Sequence, residues 1–130
     1  MKLPEITPEQ TIEVANKMIQ HVLKQGKCVD EDGACVYRDS GGSSCAIGSL
    51  IKDEHYTPDI EATTLYESAG VRRPFELSIG VSLSYHATGL FGKIQGAHDD
   101  AYGVDFKQSF IDSLPSDDGL IKELIGESNE

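Results

Sequence analysis

A chain of 130 residues with 38% apolar content is one domain in size and can build a core without a metal or disulfide. Its 11 Lys and Arg against 22 Asp and Glu give a net charge of −11, which argues against direct binding to nucleic acid or to an anionic membrane surface. No stretch approaches the ~20 apolar residues of a membrane span. Glu5 and Glu9 interrupt any signal core, and three cysteines suit reduced thiols better than a disulfide framework, so the cytoplasm is the expected compartment.

One domain is expected over residues 1–130, with the last few residues frayed. Thr7-Pro8-Glu9-Gln10 is a helix start in which Thr7 caps, Pro8 takes the first helical position and Gln10 completes a capping box. Ile12, Ala15, Met18, Ile19, Val22 and Leu23 recur at helical spacing until Gly26, predicting a helix over 8–25. Asp30-Glu31-Asp32-Gly33 reads as a turn and Ala34 to Arg38 as a short strand. Asp39 to Ser44 forms a second loop, and Cys45 to Ile51 is either a short helix or a buried strand. Thr57-Pro58-Asp59 repeats the cap-and-proline signal and predicts a helix through Ala69, ended by Gly70.

Arg72-Arg73-Pro74 reads as a break. From about Ser82, residues Leu83, Ala87, Leu90, Phe91, Ile94 and His98 line one helical stripe, although Gly89 and Gly92 weaken it. Phe106, Phe110, Ile111 and Leu114 mark a short helix ended by Pro115, and Ser116-Asp117-Asp118 caps a last one. The expected class is α+β: mostly helical, with a small β-hairpin or sheet near residues 28–52.

Three elements stand out: Cys35-Val36-Tyr37-Arg38, then Cys45-Ala46-Ile47-Gly48-Ser49-Leu50-Ile51-Lys52-Asp53, then Gln95-Gly96-Ala97-His98-Asp99. Together they resemble a group of small, largely uncharacterised proteins of tailed bacteriophages and prophages. These carry a Cys-x-Tyr-Arg element, a Cys-Ala-(Ile or Val)-Gly-x-Leu-Ile element and a Gln-x-x-His-Asp element. About a quarter of the chain takes part, and Cys28 lies outside the pattern. The resemblance implies a life in the bacterial cytoplasm and a role in modulating host machinery or countering host defence.

The residues offer several chemistries. Cys45 follows a Gly-Ser loop, and if it opens a helix its thiol is activated by the positive helix end. His98 would then be the base, with Asp99 as orienting acid, although the sequence does not place Asp99 or Asp100 to reach the ring. Against this, Cys-Ala-Ile-Gly on an apolar run is also how a buried structural cysteine looks. A zinc site from Cys35, Cys45 and His98 is poorly supported because no Cys-x-x-Cys pair occurs. A calcium loop starting at Cys28 has Asp30 and Asp32 in register but lacks both end ligands. No metal or other cofactor is expected.

Gly41-Gly42-Ser43-Ser44 presents backbone N–H groups suited to a phosphate, and Arg38, Arg72 and Arg73 are the arginines available to complete an anion pocket. The Asp-Glu clusters would instead face a basic host protein, where solubility explains them equally well. The favoured expectation is a binding protein for a host factor or a small anionic, nucleotide-like ligand. Its site is Tyr37, Arg38, Gly41, Gly42, Ser43 and Ser44. The alternative is a Cys45/His98 hydrolase or transferase. Oligomeric state stays open, a homodimer included.

Overall fold

The computed structural model describes residues 3–26, 28, 36–39, 43–61, 63–67, 70–101 and 106–114. Helix α1, Pro8–Gln25, has the capping box expected of it: Gln10 N–H donates to Thr7 Oγ1 at 3.1 Å and Thr7 N–H to Gln10 Oε1 at 2.9 Å. Such a cap stabilises a helix by about 1 kcal/mol. Its buried stripe is Thr11, Ala15, Met18, Ile19 and Val22, and Gly26 at φ 90° ends it.

Helix α2, Arg72–Ile79, occupies the stretch expected to be a break. Pro74 sits in the first turn, where the N–H it lacks has no intrahelical partner to lose, so it is compatible with a helix there. Helix α3, Tyr85–Asp100, starts at Ser84, whose side chain accepts the Ala87 N–H, and it buries the expected Ala87, Leu90, Phe91, Ile94 and His98. Helix α4, Phe106–Ser113, packs on α3, which also packs on α1. The core runs through Met18, Ile19, Phe75, Phe91, Ile94 and Phe110, with Phe75 and Phe91 edge-to-face at 5.8 Å. Pro4 and Ile6 tie the start of the chain to Ser82 by backbone hydrogen bonds of 2.8 Å.

The expected hairpin near 28–52 is corrected: the described residues are helical, with no strand or sheet among them. Arg38 and Ser44 form one isolated antiparallel bridge, closed on either side by Cys45 N–H to Tyr37 C=O and Asp39 N–H to Ser43 C=O, both 3.0 Å. The ladder stops there for two reasons. The Cys45 carbonyl accepts the Ser49 N–H at 2.9 Å as the chain turns into a 3-10 helix, Gly48–Leu50. The Tyr37 and Arg38 N–H groups are taken by the Glu61 carboxylate.

The helix expected from Thr57 through Ala69 is also corrected, to a single 3-10 turn, Pro58–Ile60. Thr57 makes no side-chain cap, and Glu61 leaves the helical region at ψ 148°. The same residue that stops the hairpin stops this helix. The last expected helix, from Ser116, lies outside the described residues.

Candidate functional site

The Cys45 and His98 side chains are both wholly buried. Cys45 does not open a helix; the 3-10 turn begins three residues later, and the thiol accepts the Gly48 N–H at 3.3 Å. Burial pushes the Cys45 thiol well above its ordinary value, outweighing the Gly48 hydrogen bond, so it stays protonated at neutral pH. His98 Nε2 lies 3.1 Å from the Cys28 backbone N–H. A backbone N–H only donates, so Nε2 is the acceptor and the ring proton is on Nδ1, 2.9 Å from Asp99 Oδ1. Asp99 thus reaches the ring that the sequence did not place it against. The Nε2 lone pair, which a general base needs, is engaged by Cys28.

Arg38 is held by its own chain. Its guanidinium donates to Asp53 Oδ1 at 2.7 Å and to the Ile51 carbonyl, and lies 4.6 Å from the centre of the Tyr56 ring. Behind it, the Glu61 carboxylate accepts Tyr37 N–H at 2.8 Å, Arg38 N–H at 3.2 Å and Tyr56 O–H at 2.7 Å. Burial, reinforced by the Glu61 hydrogen bond, pushes the Tyr56 phenol up to about 12. The other arginines do not join Arg38. Arg72 donates to the Leu65 and Leu83 carbonyls at 3.0 and 3.1 Å, and both Arg72 and Arg73 approach the buried Glu76.

Of the Gly-Ser loop, Gly41 and Gly42 lie outside the described residues. Ser43 N–H donates to Asp39 Oδ1 at 2.9 Å, and His21 and Gln25 of α1 hold the Ser44 carbonyl, His21 Nε2 at 2.7 Å. His21 Nε2 also lies 3.2 Å from Ser44 Oγ, but donation to the carbonyl puts its proton on that nitrogen, so it is no base for the hydroxyl. Among the described residues, no group of three or more His, Cys, Asp or Glu is placed to hold a metal ion. Cys35, Asp30 and Asp32 lie outside them.

What the fold does assemble is a cleft of about 370 Å³ beside α3, within the size range of small ligand sites. Val36, Ile47 and Leu65 supply apolar wall, Tyr37 and Tyr66 aromatic wall, and Gly92 and Gly96 of α3 a floor without side chains. Tyr66 is 65% exposed, and a Cβ on Gly92 would come within 3.3 Å of its ring. A Cβ on Gly96 would meet nothing within 4 Å. Glu61, Gln95 and Asp99 complete the lining, which among the described residues includes no Lys, Arg or His.

Three conspicuous sequence elements converge on this cleft. Tyr37 contributes its ring, and its hydroxyl donates to the Thr63 carbonyl. Gly48 passes so close beneath it that any Cβ would collide with the Tyr37 carbonyl. Gln95 Oε1 accepts the Ile47 N–H at 3.0 Å, and its Nε2 donates to Asp99 Oδ1 at 2.9 Å. Cys45, the nucleophile of the alternative enzyme reading, is not among the lining residues. Glu61, Tyr66, Gly92 and Gly96 were not foreseen as site residues. The spacing of Gly89, Gly92 and Gly96, three and four apart on one helix, was the one available signal for an open helix face.

Compared with known proteins, the chain matches no family model, no curated protein and no solved structure.

Proposed function

We propose that this chain is a phage-type accessory protein that acts by binding a host protein through the cleft beside α3. The observation that carries this reading is the position of the cleft. It lies where the Tyr37-Arg38, Cys-Ala-Ile-Gly and Gln-x-x-His-Asp elements meet, with the Cys45 thiol enclosed and outside its lining. A rigid apolar pocket rimmed by polar groups is what recognition requires. Covalent catalysis by Cys45 requires a reachable thiolate, and burial opposes both access and ionisation.

A small anion draws less support as ligand. Of the loop N–H groups expected to receive it, that of Ser43 already donates to Asp39 Oδ1 and that of Ser44 to Gln25 Oε1, and the Arg38 guanidinium is turned to Asp53. The absence of any helix among the described residues long and apolar enough to cross a membrane also fits a partner met outside the bilayer.

The test compares partners retained from a bacterial extract by the wild-type chain and by Gly96→Leu, a change that meets open space at its Cβ and fills the cleft. A host protein held by the wild type and by Cys45→Ala, but lost by a folded Gly96→Leu, is the expected result. Loss on Cys45→Ala alone, with its fold intact, would transfer the function to the enzyme reading.

A further inference from the structure

We propose that two copies of this chain pair α3 against α3 about a two-fold axis, each seating its Tyr85 in the cleft of the other. This pairing goes beyond host binding and does not depend on it. Tyr85 is 96% exposed, the most open large hydrophobic residue among those described. At about 100° per residue, Tyr85, Gly89, Gly92 and Gly96 fall within about 60° of arc on α3, opposite the buried Ile94 and His98. Their spacing reads the same from either end: Tyr85 and Gly96 are equidistant from the midpoint of Gly89 and Gly92. Two antiparallel copies of α3, related by a two-fold through that midpoint, therefore place Tyr85 of each over Gly96 of the other, and Gly89 over Gly92. A Cβ on Gly89 or Gly96 would meet nothing within 4 Å, so an incoming ring finds space there. Tyr37 and Tyr66 wall the same cleft and offer the ring aromatic contacts.

The polar groups of the cleft suit an uncharged occupant. Glu61 accepts Tyr37 N–H on one oxygen and Arg38 N–H with Tyr56 O–H on the other. Asp99 Oδ1 accepts Gln95 Nε2 and His98 Nδ1, each at 2.9 Å. A ring laid over the cleft leaves these groups with the partners they already have, so covering them costs no hydrogen bond. Charge permits the approach as well. Residues 77–98 contain no Asp or Glu in a chain of net charge −11, and Lys93 lies beside the stripe, so two acidic copies meet along α3 without bringing carboxylates together. Two Tyr85 rings and the clefts that receive them remove roughly 800 Å² from water, and the flanking Tyr66 side chains raise this towards the ~1,200 Å² of the smallest stable interfaces. The expected product is a weak, reversible dimer.

Sedimentation equilibrium of the full-length chain from ~10 μM to ~1 mM should show monomer and dimer in exchange. Tyr85→Ala removes a side chain that its own fold leaves open, and should weaken the dimer about a hundredfold, about tenfold for each of two equivalent rings. Gly96→Leu should weaken it similarly by filling the receiving cleft. The decisive sample mixes the two variants. The Tyr85 ring of Gly96→Leu can enter the intact cleft of Tyr85→Ala, so the mixture should associate about tenfold more tightly than either variant alone. A wild type still monomeric at ~1 mM, a dimer that Tyr85→Ala leaves intact, or a mixture of folded variants no tighter than its components would each overturn the pairing. If the wild type is monomeric yet Gly96→Leu loses the host protein, only the pairing is lost. If the pairing holds yet folded Gly96→Leu keeps the host protein, only host recognition by the cleft is lost.

Discussion

Helix α3 presents two sides that the chain treats in opposite ways. Inward, Phe91, Ile94 and His98 are sealed against α1 and α4, and near them the Cys45 thiol has no access to solvent. Outward, Gly92, Gly96, the buried Gln95 and Asp99 line the cleft. The reactive residue types lie on the sealed side, and the accessible chemistry lies where the helix has almost no side chains. A nucleophile's presence in a sequence is therefore weaker evidence of catalysis than the space left around it. Gln95 joins the two sides, bonding the buried Ile47 N–H inward and Asp99 outward.

The strongest way to break this division is Gly48→Ala. A Cβ there would be driven into the Tyr37 backbone, which is also where Cys45 N–H bonds, so both the seal over the thiol and the aromatic wall of the cleft depend on a bare Cα. Overpacking against a backbone that cannot move aside should cost about 3 kcal/mol, seen as a lower urea midpoint. Cys45 should become alkylable in the folded-state baseline at the same time. A variant as stable as the wild type would mean that the two regions are not coupled through this turn.

Alkaline pH acts on the buried thiol and, nearer pH 10, on the Tyr37 and Tyr56 phenols that burial also raises, so comparison with Cys45→Ala isolates the sealed side. The Cys45 thiol has its proton affinity raised by burial, so folded and unfolded chains are both protonated there below the ordinary thiol value of 9.0. Above that pH the unfolded chain loses its proton first, and stability falls as the pH rises towards the folded value. One proton corresponds to a slope of at most about 1.4 kcal/mol per pH unit. Denaturation midpoints measured from pH 8 to 10.5 should decline less steeply in Cys45→Ala than in the wild type. Equal slopes would show that the thiol is not held protonated by the fold.

How much of this was legible in the sequence depends on how local its cause is. Helix α1 was readable to its ends because Thr7, Pro8, Gln10 and Gly26 act within a turn of the boundaries they set. The hairpin and the Thr57 helix were misread because one residue distant in sequence, Glu61, takes the Tyr37 and Arg38 N–H groups and leaves the helical backbone to do so. Local propensity contains no record of such a contact. The same holds for the site. Tyr37, His98 and Asp99 were singled out by residue type, and their grouping with Gln95 and Ile47 appears only once α3 packs. Arg38 was expected to face a ligand, yet it is anchored on Asp53 and Ile51, partners that spacing alone does not reveal.

The smallest expected effect is the one that separates the two sides most cleanly. Gly96→Ala places a methyl in open space inside a regular helix, so the residue should gain helix propensity without a clash. The expected change is a stabilisation of up to about 1 kcal/mol, measurable as a higher urea midpoint with an unchanged slope. The same methyl occupies part of the cleft floor and should weaken binding there. Stability and recognition would then move in opposite directions from a single carbon, which a purely structural glycine would not allow. If Gly96→Ala raised stability and left partner capture and self-association untouched, the floor of the cleft would have no part in recognition, and the contact would have to be sought nearer Tyr66.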